Sequence, residues 1–194
     1  IPYVSVWVKN EEEFASLLAN PVVIHVRQDI PKKLDDVVVA PVAMSEANTW
    51  IDTQVAWNAG YDGSGYTIAI LDTGVDSGHD YLDEGKVVAE FCHSTNYTYV
   101  DNDGVAPDTS FASYSICESG VISDSGTGSA MPYVGSCPVG ECDHGTHVAG
   151  IAAGTHTGFS GTAPDADIIA VQVFSRFNSA YYCDSGSHDD DCAL

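Results

Sequence analysis

At 194 residues with 44% hydrophobic side chains, the chain can bury one good core plus a small appended unit, which excludes a disordered polymer. Its formal charge of −22, from 28 acids against six Lys and Arg, repels nucleic acid phosphates and anionic lipid, so neither is expected as a partner. No apolar run approaches the ~20 residues of a membrane-spanning helix, and Ile1 opens in mid-pattern without Met or signal peptide, so both ends read as cut.

Pro2 to Val8 alternates apolar and polar residues and reads as a strand. Asn10 is placed to cap a helix over Glu11 to Leu18 with acids in its first turn, Asn20-Pro21 ends it, and Val22 to Val26 reads as the next strand. Strand, helix and strand make half of a small αβ plait. Residues 1 to 36 hold four of the six basic residues against six acids, so nearly all of the net acidity belongs to residues 37 to 194. Lys32-Lys33-Leu34-Asp35-Asp36 and then Val37 to Pro41 lack helical periodicity and read as an exposed connector.

Trp50 to Ala59 reads as a short helix, ended by the Gly-rich turn Gly60 to Gly65. That turn feeds Tyr66 to Leu71, a run with the apolar continuity of a strand buried on both faces. Val87 to Phe91 is a further strand, Gly145 to Gly154 a small-residue helix, and Ala166 to Phe174 another buried strand. Strand, loop, helix and strand in this order argue an α/β fold with a parallel sheet and right-handed crossovers. The Ser, Gly and Asp rich segment between Cys92 and Cys142 shows little periodicity and reads as loops.

All six cysteines come after residue 90 in three close sets: Cys92 with Cys117, Cys137 with Cys142, and Cys183 with Cys192. An even count in short loops points to disulfides and an oxidising, extracytoplasmic compartment. Fifteen pairings are open, and pairing of neighbours is the preferred one. A zinc cluster lacks a second knuckle to match Cys137 and Cys142. Acidic loops such as Asp101-Asn102-Asp103-Gly104 and Asp189-Asp190-Asp191 read as solvated surface, with loosely bound calcium left open.

Two segments carry the chemistry. Asp72 follows the apolar run and precedes Thr73-Gly74, at the carboxyl end of a central strand, where open α/β sheets gather functional groups. An Asp there can accept the Nδ1 hydrogen of a histidine and fix its tautomer. Taken alone, Asp-Thr-Gly is more often a turn or helix cap. His144 opens a run in which Gly145, Ala149, Gly150, Ala152 and Ala153 allow helix and sheet to approach closely, so the imidazole can project into a cleft. An isolated His in such a place is more often a capping or core residue. A different chemistry is open as well: His144, His147 and Asp143 or Asp72 could form a metal site for a metal-dependent hydrolase, because two His three apart share a helix face.

The segments Asp72-Thr73-Gly74-Val75-Asp76 and Asp143-His144-Gly145-Thr146-His147-Val148-Ala149-Gly150, in that order, resemble the Asp and His motifs of the subtilisin-like serine proteases. The resemblance covers roughly residues 41 to 194, and Gly161-Thr162-Ala163-Pro164 with the strand after it extends it. It implies a parallel sheet with helices on both faces, His144 as general base, Asp72 as its orienting partner and His147 as structural. Residues 1–36 are similar to the end of an inhibitory prosegment, 37–48 to a connector with a maturation site, and 49–194 to the first part of the catalytic domain. The family's nucleophile sits in a Gly-Thr-Ser-Met-Ala motif well downstream of the His, and this chain contains no counterpart. Gly126-Thr127-Gly128-Ser129-Ala130-Met131 is superficially similar, yet it lies before His144 with no helix to position Ser129.

The resemblance therefore implies a secreted, extracellular serine endopeptidase acting on protein or peptide substrates, with its own prosegment as inhibitor. This chain supplies only Asp and His of the triad and is expected to be inactive alone. No cofactor is required, and calcium is left open as a structural ion. Family members often place a calcium-ligating Asp two residues after the His that matches His79, where this chain has Tyr81; Asp80 is a shifted substitute, and Asp76 and Asp83 read equally well as solvated turn residues. A serine-less binding module that kept the fold is the remaining alternative.

Overall fold

The computed structural model describes residues 8–24, 26, 44–82, 85–99, 111–133 and 142–177. The chain divides into two compact units, Ile1–Leu34 and Asp35–Leu194. In the first, helix α1 spans Glu11–Leu18 as its cap foretells. The Asn10 side chain accepts the Glu13 N–H at 2.9 Å while the Glu13 carboxylate accepts the Lys9 N–H at 2.9 Å, so donors that a helix start leaves orphaned are satisfied. Glu11, Glu12 and Glu13 sit at the positive end of the helix dipole.

The strand expected over Val22 to Val26 is not formed among the described residues. Instead Asn20 closes a turn: its carboxamide oxygen accepts the Val22 N–H and its carbonyl the Val23 N–H, both at 3.0 Å. Local side-chain bonding of this kind competes with a strand ladder. The strand expected over Pro2 to Val8, Val8 apart, and the connector from Lys32 to Pro41 lie outside the described residues.

In the second unit, helices α2 (Met44–Trp50) and α3 (Thr53–Asn58) replace the single helix expected from Trp50 to Ala59. The break is at Asp52, held in the left-handed region at φ 61°, which an α-helix cannot include. Thr53 Oγ1 donates back to the Asn48 carbonyl at 3.1 Å across it. Helix α2 also occupies the end of the stretch read as connector. Asn48 donates to the Ser160 carbonyl at 2.8 Å and Trp57 to that of Thr162 at 3.0 Å, which fastens both helices to the segment after α4 (His144–Ala153).

The strands are β1 (Thr67–Asp72), β2 (Val87–His93), β3 (Tyr97–Tyr99), β4 (Phe111–Ser115), β5 (Ser123–Ser125), β6 (Thr155–His156), β7 (Phe159–Ser160), β8 (Asp167–Gln172) and β9 (Ser175–Phe177). The main sheet has the order β1-β8-β2-β5, parallel through its first three strands with β5 antiparallel at the edge. It is the α/β architecture expected, with one antiparallel strand added. Strand β8 lies between β1 and β2, so Asp72, Gln172 and Cys92 stand in one row at the carboxyl edge. Helix α4 packs on β1 and β8 through Ala149 and Ala153. Ile70, Val75, Leu82, Ala130, Ala166, Ile168 and Ala170 complete that core.

The opposite face differs from the expectation of burial on both sides. Leu71 and Phe91, aligned across Val171, are 63% and 44% exposed, because α4 lies on the face carrying Ile70, Ile168 and Ala170. The segment between Cys92 and Cys142 also holds more than loops. It supplies β3, β4 and β5, and β3 and β4 form an antiparallel sheet with β9 from further along the chain. Its apolar periodicity is faint because its attachment is polar: Ser94 Oγ donates to the Phe174 carbonyl at 2.7 Å, and Ser175 Oγ lies 2.9 Å from both Ser94 Oγ and Thr95 Oγ1.

Cys92 and Cys117 are bonded, as the neighbour pairing expects, and Cys142 is also in a disulfide. Cys137, Cys183 and Cys192 lie outside the described residues. Both cations after residue 36 are used internally. Lys86 donates to the Pro164 carbonyl, and Arg176 donates to the Tyr133 hydroxyl at 3.0 Å with its guanidinium 5.2 Å from the Tyr114 ring centre.

The disulfide closes a separation of 25 residues, and a cross-link of that span removes enough unfolded-chain entropy to contribute about 3 kcal/mol. Replacing Cys92 and Cys117 together by Ser is expected to lower the unfolding free energy by about that amount in urea titration.

Candidate active site

The site is built where β1 ends and α4 begins. Beyond Asp72 the chain turns through Thr73, Gly74 and Val75, all buried, and then meets the first turn of α4. His144 Nδ1 lies 2.8 Å from Asp72 Oδ1, with the His side chain 31% exposed and the Asp side chain 14%. The structure thus brings together the two residues that the sequence placed 72 positions apart. A deprotonated carboxyl has only acceptors, so this contact requires the hydrogen on Nδ1 and leaves Nε2 as the basic nitrogen. Nε2 has no hydrogen-bond partner among the described residues.

Three backbone relations hold the pair. Thr73 N donates to Asp72 Oδ1 at 2.7 Å, which orients the carboxyl. Thr73 Oγ1 accepts the Gly145 N–H at 3.0 Å, satisfying an orphan donor of the helix start from a different element. Asp143, at the helix cap position, makes no side-chain cap of its own. One turn on, Thr146 Oγ1 accepts the Asp76 N–H at 2.9 Å and closes the loop against the helix.

Close approach requires glycine on both sides. A methyl at Gly145 would collide with the Gly74 carbonyl oxygen and stand 3.0 Å from Asp72 Cβ. Gly74 has φ +109°, and a methyl there would come within 2.6 Å of the Ala130 carbonyl oxygen. Gly145 was legible as a small-residue contact. The roles of Thr73, Thr146 and Gly74 were missed, although all three lie inside the two motifs.

The remaining expectations divide. His147 is exposed on α4, apart from the pair. Ser129 sits in the turn over 127–130, is 6% exposed, and its Oγ has no partner among the described residues. Among the described residues no hydrogen bond joins it to His144. Asp76 Oδ1 accepts the Gly78 N–H at 3.0 Å in a turn of its own, while Tyr81 stacks on His79 with ring centres 5.3 Å apart. Asp83 lies outside the described residues. Among the described residues, no three of His, Cys, Asp and Glu are grouped so as to hold a metal ion, which leaves the metal-hydrolase reading without a ligand set there.

Residues 63–187 match the subtilase family. The chain is 36% identical over 132 residues to thermitase of Thermoactinomyces vulgaris, covering 66% of this chain and 33% of that protein. It is 34% identical over 131 residues to the minor extracellular protease Vpr of Bacillus subtilis (strain 168), covering 67% of this chain and 12% of Vpr. To the thermophilic serine proteinase of Bacillus sp. (strain AK1) it is 34% identical over 140 residues, or 71% of this chain and 25% of the relative. The match therefore spans between 12% and 33% of the length of these three proteins.

Gly145→Ala is expected to force the loop and helix apart, with a loss of at least about 2 kcal/mol in urea unfolding, as overpacking of a tight contact costs. Gly150→Ala, on the same helix where a methyl meets open space, is expected to stay within about 1 kcal/mol of the parent chain.

Proposed function

The chain belongs to the subtilase family, and from that premise we propose that it carries the Asp and His of an Asp-His-Ser relay in a secreted serine endopeptidase. The observation that supports this most is the 2.8 Å contact of Asp72 Oδ1 with His144 Nδ1, on an imidazole that remains 31% exposed. Serine is a weak nucleophile at neutral pH and needs a base beside it. In this reading His144 Nε2 takes the proton from the serine Oγ as that oxygen attacks the scissile carbonyl, then returns it to the leaving amine. Asp72 holds the hydrogen on Nδ1 and stabilises the imidazolium formed in between.

The 194 residues contain no Gly-Thr-Ser-Met-Ala segment, so in this reading the serine and the amides that would bind the oxyanion lie outside them. Protein or peptide chains are the substrates. Residues 1–36 are the end of an inhibitory prosegment joined through 37–48 to the catalytic part at 49–194. Secretion is supported by the Cys92–Cys117 disulfide and by a relative named as an extracellular protease. Calcium, if bound, is structural.

A fluorophosphonate probe is expected to leave the 194-residue chain unlabelled and to label a natural product of the same gene that contains the serine motif. In that longer protein Asp72→Asn is expected to lower kcat by roughly 10³- to 10⁴-fold, because the imidazole loses its tautomer. Labelling of the 194-residue chain, or an Asp72→Asn loss below about tenfold, contradicts the proposal.

A further inference from the structure

We propose that Glu90 is a positioning residue for the Asp72–His144 pair, acting through the turn Gly126–Met131; this rests on reading that pair as the catalytic one. Glu90 lies in β2, separated from β1 by β8, and among the described residues it is hydrogen-bonded to neither Asp72 nor His144. It is nevertheless a carboxyl only 6% exposed in the sheet interior, where a polar group without partners is costly. Its partners lie along one turn. Oε2 accepts the Gly128 N–H at 3.0 Å and the Ala130 N–H at 3.3 Å, while the Glu90 carbonyl accepts the Gly126 N–H at 3.1 Å.

The far side of that turn meets the loop that leaves Asp72. The Ala130 carbonyl accepts the Val75 N–H at 2.7 Å, and the same oxygen, with Met131, closes the space beside Gly74. Gly74 in turn presents its carbonyl to Gly145, and Thr73 holds both the Gly145 N–H and, through its own N–H, the Asp72 carboxyl. Glu90, the turn, the Thr73–Val75 loop and the start of α4 are therefore one continuous packed series. Every link in it is a backbone contact or a hydrogen bond with no water-filled gap required. Among the described residues the turn carries two internal bonds, Ser129 N–H to the Gly126 carbonyl and Met131 N–H to that of Gly128. On the β2 side it is held by the Glu90 carboxylate, and on the loop side by the Val75 N–H and by Ser77 Oγ, 3.9 Å from Met131 Sδ. Loosening Glu90 lets Ala130 move, and Ala130 is what sets the depth of Gly74 against the helix.

The test uses the isotopically labelled 194-residue chain, reading the His144 Nδ1–H proton by NMR together with its exchange with water. Glu90→Gln is expected to keep a dispersed amide spectrum, to move that proton away from its hydrogen-bonded position, and to speed its exchange at least roughly tenfold. Glu118→Gln, which removes an exposed charge, and Thr53→Ala, which weakens the α2–α3 junction, are expected to leave it in place. Gly128→Ala strains a backbone at φ +88° where a methyl meets open space, so it disturbs the turn with Glu90 intact and decides alone if the Gln chain does not fold. The same shift in His144 is expected.

A folded Glu90→Gln or Gly128→Ala chain with an unchanged His144 proton, while Asp72→Asn displaces it, overturns the positioning role and leaves Glu90 purely structural. An Asp72→Asn chain that also leaves the proton unchanged overturns the reading of the pair itself.

Discussion

The approach of the loop after β1 to the first turn of α4 governs everything at the site. The two meet backbone to backbone, with Gly74 and Gly145 as the contact and the Thr73 hydroxyl as the cap of a helix that has none of its own. Helix starts carry unpaired N–H groups, and sheet edges carry side chains aimed at whatever lies beyond the strand. Here each meets the need of the other. The result brings a carboxyl to the positive end of a helix and within 2.8 Å of an imidazole, without a long side chain to span the gap. Neither group depends on a flexible stem, so the geometry is inherited from the core beneath, where Ala149 and Ala153 seat the helix on β1 and β8.

The surrounding unit is stabilised by means that its composition dictates. With two cations left after residue 36, ion pairing cannot neutralise its acids. Among the described residues those cations reach a carbonyl, a tyrosine hydroxyl and tyrosine rings, where a guanidinium gains from the ring quadrupole. The hydroxyl cluster of Ser94, Thr95, Ser113 and Ser175 and the Cys92–Cys117 bond hold the smaller sheet against the carboxyl edge of the larger one. Burying the hydroxyls of Ser94, Ser113 and Ser175 is tolerable because each has a partner within hydrogen-bond distance.

Much of this was legible in the sequence, for definite reasons. α1 announced itself through Asn10 and three acids, β1, β2 and β8 through apolar runs, and α4 through its small residues. The pairing of Asp72 with His144 followed from two motifs in a fixed order. What escaped detection was short or locally contradictory. β3, β5 and β9 have three residues each, too few for a period of two to show. Asp52 breaks a helix by a backbone angle that no residue type demands. Val22 to Val26 has strand propensity, yet Asn20 captures its first amides. The exposed Leu71 and Phe91 show that apolar continuity reports the capacity for two-sided burial rather than its completion.

Since the account turns on Asp72 fixing the state of one imidazole, the most direct measurement is the nitrogen chemical shifts of His144 in the 194-residue chain, taken where the ring is neutral. Free histidine favours the hydrogen on Nε2, so the local chemistry and the fold make opposite demands. The account predicts a protonated Nδ1 and a bare, basic Nε2, the form able to accept a proton from a serine. A His144 with its hydrogen on Nε2, or an even mixture of the two forms, would contradict it.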